Sequence, residues 1–108
     1  MRMLTLLSCG MLLSLALPGR PQKNSGQGVT IFQEQCIGCH GQDGRADTEM
    51  GKKVQAADLT SQAVQDLSAS QLEKIVKNGQ KKMPSFAGKL SDDEIKAVIG
   101  YVKQLGGK

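Results

Sequence analysis

The chain has 108 residues, which allows one domain. Three aromatic side chains and no tryptophan are too few to fill a core of that length, so a bound apolar group is expected to supply the missing bulk. The formal net charge of +4 does not mark a nucleic-acid interface, because the lysines are interleaved with carboxylates and no stacking aromatics accompany them.

Arg2 heads a nearly apolar run from Met3 to Leu17, broken by Thr5, Ser8, Cys9, Gly10 and Ser14. Fifteen residues fall short of the roughly 20 that a membrane span needs. Ser14 and Ala16 suit positions −3 and −1 of a cleavage site, so residues 1–16 are expected to be a signal peptide, with an uncleaved anchor as the alternative. A lipid-modified Cys9 is disfavoured, because few apolar residues precede it. Residues 17–27 read as a flexible, poorly ordered linker rich in Gly, Pro, Ser and Asn.

The spacing of Val29, Phe32 and Cys36 predicts a helix from about Gly28 to Cys36. It leads into Cys36-Ile37-Gly38-Cys39-His40, the attachment signature of a c-type haem. One turn of chain between two thiols lets each reach one vinyl group of the porphyrin, and the next residue can offer an imidazole to the iron. A redox dithiol would want a βαβ context, which the chain does not suggest. Structural zinc needs about four Cys or His ligands, and the chain has one histidine.

From His40 to Ser61, glycines and aspartates predict an irregular segment that wraps a ligand, with Leu59 packing on it. Thr60 is expected to cap a short helix carrying Ala63, Val64 and Leu67. Ser70 and Glu73 have capping-box spacing for a second helix, with Leu72, Ile75 and Val76 on its apolar face and Asn78-Gly79 as its stop. Pro84 pushes Met83 toward an extended backbone that can aim its thioether into a pocket. Methionine is also an ordinary core filler. Ser91 and Glu94 start the last helix, whose stripe is Ile95, Val98, Ile99, Val102 and Leu105. Gly100 interrupts that helix at a cost of about 1 kcal/mol, which close approach of Gly28-Val29 would justify, with a tolerated exposed glycine as the alternative.

Taken together, Gly28, Phe32, Cys36, Cys39-His40-Gly41, Asp58-Leu59-Thr60, Asn78-Gly79, Met83-Pro84, Phe86 and the Ser91–Leu105 helix resemble the class I monohaem cytochromes c, in particular the cytochrome c6-like group. The resemblance spans residues 28–105. It implies an all-α cytochrome c fold of three to five short helices around one covalent haem c, with the first and last helices crossing, in a domain over residues 28–108. It also implies thioethers at Cys36 and Cys39 and axial ligation by His40 and Met83. Many relatives have a proline just before the Asp-Leu pair, near the carbonyl that accepts from the ligand histidine. Ala57 stands there in this chain.

Elimination points to the same sixth ligand. His40 is the single histidine, and of the methionines outside the signal segment, Met50 follows it too closely to cross to the opposite face. The expected function is a soluble electron carrier, not an enzyme, with a donor and an acceptor protein as partners. Lys77, Lys81, Lys82 and Lys89 could form a collar for an acidic docking face, with a merely solvated lysine face as the alternative. A subunit of a larger oxidoreductase and a peroxidase-type haem enzyme, should Met83 dissociate, are the alternatives. The protein is expected to be a monomer in the bacterial periplasm, with the thylakoid lumen or a membrane tether as alternative locations. Neither nucleic acid nor stable membrane insertion after signal cleavage is expected.

Overall fold

The computed structural model describes residues 23–107. The expected signal peptide, Cys9 and residues 17–22 of the linker lie outside the described residues. Six helices follow in order: α1 (Lys23–Gln35), α2 (Ile37–His40), α3 (Glu49–Val54), α4 (Gln62–Gln65), α5 (Ala69–Asn78) and α6 (Asp92–Leu105). No strand occurs among the described residues, only two isolated bridges. The all-α expectation holds. Two of the six helices are four-residue turns, which raises the count above the three to five expected.

The first helix starts five residues before the apolar pattern does, so residues 23–27 are helical rather than linker. Once a helix is nucleated, each further residue adds a hydrogen bond, and no apolar periodicity is needed. The Thr30 hydroxyl donates to the Gly26 carbonyl in that stretch at 3.1 Å.

α1 packs on α6, and their side chains make most of the core. Ile31 and Phe32 meet Ile95, Val98, Ile99, Val102 and Leu105, with Leu59 and Leu72 closing the cluster. The Phe32 ring meets Tyr101 edge-on, with centroids 5.1 Å apart. The close backbone approach is made by Gly28, where a Cβ would collide with the Ala97 carbonyl. The partner expected for Gly100 is therefore Ala97's partner instead. Gly100 is exposed, with nothing near its missing Cβ.

Capping fixes where α4, α5 and α6 begin. Ser91 and Glu94 form the expected capping box of α6. For α5 the box is Ser68 and Gln71, two residues earlier than Ser70 and Glu73. Gln can close such a box as Glu does, by accepting at its amide oxygen from the cap N–H. Ser61, not Thr60, caps α4. Thr60 is unavailable because its hydroxyl and its N–H both donate to the Asp58 carboxylate, at 2.6 and 2.8 Å.

α3 interrupts the segment expected to be irregular. It lacks an apolar stripe because it docks through a glycine: a Cβ on Gly51 would collide with the Cys39 carbonyl. Thr48 caps α3, and its hydroxyl reaches back to the Gly38 and Cys39 carbonyls at 2.9 and 3.1 Å. The helix thereby braces the turn that carries both thiols.

Candidate haem site

The Cys36–His40 turn follows directly on α1, with Cys36 as the one residue between α1 and α2. The Cys36 N–H donates to the Phe32 carbonyl at 2.9 Å, and the His40 N–H to the Cys36 carbonyl at 2.9 Å. Both cysteines are partly buried and unpaired with each other. Burial, with the neighbouring Cys39 adding to it, pushes the Cys36 thiol up to about 11. A redox dithiol needs a lowered thiol pKa, so Cys36 is the opposite of a poised nucleophile. Among the described residues no group of three His, Cys, Asp or Glu side chains is arranged to hold a metal ion.

One cavity of about 550 Å³ takes in Cys36, Cys39, His40 and Met83. That volume is in the ordinary range for a cofactor site, about 300–1,000 Å³. Phe32, Leu59, Leu72, Val76 and Val98 are among its apolar walls, so Leu59 does face the ligand space as expected. Met50 is absent from the lining and is 49% exposed on α3.

His40 and Met83 are held by different parts of the chain. The His40 Nδ1 lies 2.9 Å from the Ala57 carbonyl oxygen. A carbonyl only accepts, so Nδ1 carries the proton in this bond, and Nε2 is the ring nitrogen left to bind a metal. The residue standing where proline was expected thus supplies the acceptor itself.

The Met83 arm is folded back onto α5. Gln80 and Met83 exchange two backbone hydrogen bonds, of 3.1 and 2.9 Å. Beyond Met83, the Phe86 and Ala87 N–H groups donate to the Val76 and Lys77 carbonyls at 3.0 and 3.1 Å. These acceptors are carbonyls that the last turn of α5 leaves unpaired. Gly79 permits the fold-back: its φ is 79°, and a Cβ there would press on the Met83 carbonyl and the Ser85 nitrogen, both at 2.9 Å. The arm is therefore pinned before and after Met83.

Lys81 and Lys82 are exposed residues that also line the cavity. Lys77 is engaged with Asp92 at 3.2 Å, and Lys89 lies over the Phe86 ring, 5.7 Å from its centroid. Of the expected collar, Lys81 and Lys82 border the cavity directly.

Residues 24–102 match the family described as cytochrome C oxidase, cbb3-type, subunit III. The chain belongs to this family, and it is a class I c-type cytochrome. The cytochrome is 36% identical over 93 residues to the cbb3-type cytochrome c oxidase subunit FixP of Bradyrhizobium diazoefficiens, covering 84% of this chain and 31% of that protein. It is 33% identical over 97 residues to a cytochrome c6-like protein of a Nostoc species, covering 90% of this chain and 85% of that one. Among solved structures, the KustC0563 c-type cytochrome superposes with a TM-score of 0.67 at 26% identity, over 72% of this chain and 95% of that one. The cytochrome thus spans about a third of the length of the FixP relative that it matches.

Membership implies covalently bound haem c, and the residues present fit it. Two thiols, an imidazole with a free Nε2 and a thioether share one apolar cavity. Sequence patterning missed the Ala57 carbonyl, because backbone acceptors carry no residue signature. It also missed Thr48, whose signal was present as a cap residue three positions before Gly51.

Proposed function

We propose that this cytochrome is an electron carrier with one haem c, bonded to Cys36 and Cys39 and ligated by His40 and Met83. The observation that carries the proposal is the single cavity onto which all four side chains open. When bound, the group supplies a one-electron change at iron. The chain's own residues do the rest. His40 binds through Nε2 while Ala57 holds its Nδ1 proton, which raises the basicity of the ring. Met83 offers a soft thioether, which favours a higher potential than harder ligands would. Phe32, Leu59, Val76 and Val98 exclude water from the cavity and lower its polarity. With His40 and Met83 both serving as ligands, the iron would have no position left for substrate, which supports a carrier over an enzyme.

Lys81 and Lys82 form the docking edge for acidic redox partners, a donor and an acceptor. The N-terminal segment supports export, to the periplasm of a bacterium, where the domain works as a monomer. No described helix is long and apolar enough to cross a membrane.

A second reading, an electron-transfer subunit of a larger oxidoreductase, is supported by the family match to an oxidase subunit. Optical spectra of the exported protein in both oxidation states test the haem type and spin state. Acid–acetone extraction tests covalency: haem released into the solvent would sink the thioether assignment. Purification from native membranes separates the two readings, since a carrier stays in the soluble fraction and a subunit co-purifies with its oxidase.

A further inference from the structure

The Ala57 carbonyl that holds His40 belongs to a residue with no means of fixing itself. Ala57 is exposed and carries only a methyl group. Its direction is set by its neighbours. Upstream, the Ala56 N–H donates to the Gly51 carbonyl at 2.8 Å. Downstream, the Leu59 N–H donates to the Gly44 carbonyl at 2.7 Å. The Leu59 carbonyl, in turn, accepts from Gln65 Nε2 at 2.7 Å.

Gln65 Nε2 has two protons, and both are used. The second goes to the Val102 carbonyl on α6 at 3.0 Å. The side chain also lies flat against Gly106, where a Cβ would collide with it. The Gln65 amide is therefore a bridge from the last turns of α6 to the turn that ends at Leu59. Lys103 makes a separate tie, donating to the Gln65 and Leu67 carbonyls at 2.6 and 2.8 Å. That tie holds α4 to α6 without touching Leu59.

We propose that Gln65 is a positioning residue for the proximal histidine: by clamping the Leu59 carbonyl to α6, it fixes the Ala57 carbonyl on the Nδ1 proton of His40. This rests on the ligand assignment of His40. Without the clamp the 57–59 turn gains freedom and the bond to Nδ1 weakens. A weaker bond makes the imidazole a poorer donor, which favours the reduced state.

The test uses the holoprotein and two readouts that a merely structural role would not move together: the solvent-exchange rate of the His40 Nδ1 proton in the reduced protein, and the reduction potential. In wild type, the His40 ring signals must first show the large ring-current shift of an axial ligand. Their absence overturns the ligand assignment and this proposal with it; their presence leaves the variants to judge Gln65 alone. Gln65→Leu should speed exchange by about two- to tenfold, the factor that corresponds to one net hydrogen bond, and raise the potential. Lys103→Met should lower stability and move neither readout. Gln65→Glu, which keeps the shape and removes both donors at neutral pH, should repeat the Gln65→Leu result and serves if the leucine variant does not fold. Exchange and potential unchanged in the Gln65 variants, or shifted equally in Lys103→Met, would overturn the proposal.

Discussion

The α-carbon of Gly28 faces the carbonyl of Ala97 so closely that no side chain fits between them. This contact sets the separation of α1 and α6, and with it the depth at which Phe32 is buried. Gly28→Ala should destabilise the protein by about 1–3 kcal/mol, because the backbones must part. Gly100→Ala, in open space on the same helix pair, should stabilise it by about 0.5–1 kcal/mol. Thermal unfolding of the two variants checks both signs, at about 4–8 °C per kcal/mol for a domain of this size.

Met83→Ala should abolish the methionine-to-iron(III) charge-transfer band, lower the reduction potential and open the iron to carbon monoxide. Met50→Ala should leave all three as they are, since Met50 sits exposed on α3 and away from the cavity. Persistence of the band in Met83→Ala would move attention to another sixth ligand.

The Asp58 carboxyl is held below its usual 3.8, chiefly by the Thr60 hydroxyl and then by the Thr60 N–H. A lowered folded-state pKa means that the folded protein binds fewer protons than the unfolded chain in acid. The contribution is therefore fully present above the unfolded value of 3.8 and is lost as pH falls through the lower folded value. Asp58→Asn should flatten that part of the acid limb in denaturant titrations run from pH 5 downward. An unchanged acid limb would show that the turn does not report on Asp58.

If Lys81 and Lys82 steer an acidic partner, electron-transfer rates should fall as added salt shortens the screening length, about 8 Å at physiological strength. The double reversal Lys81→Glu, Lys82→Glu should slow the reaction at low salt by at least about tenfold, in line with electrostatic steering, and flatten its salt dependence. Stopped-flow mixing with the partner measures both. Rates that are flat or rising with salt in wild type would exclude this docking edge for the partner tested.

The sequence made the ends of the domain legible and left the middle obscure. The α6 stripe and the Ser91–Glu94 box mark a helix by both periodicity and capping. The Cys36–His40 spacing names its own chemistry. α3 left no such trace, since its six residues carry only two large apolar side chains, Met50 and Val54, and it seats on the thiol turn through Gly51. The α5 start was misread because a glutamine at Gln71 completes the box as well as a glutamate would. The Ala57 acceptor and the Gln65 bridge depend on main-chain oxygens, which every residue offers alike. Only the folded backbone selects among them.

The pairing of α1 with α6 also has a consequence for biosynthesis. α6 is the last of the described helices to leave the ribosome, so α1 spends translation without its partner. Cys36 packs against a cluster to which α6 contributes five residues. Until those residues arrive, that wall of the thiol's surroundings is missing. The same wall is open in an unfolded exported chain, so attachment of the proposed haem before α6 docks would meet exposed sulfurs, and the docking of α6 would close the domain over them.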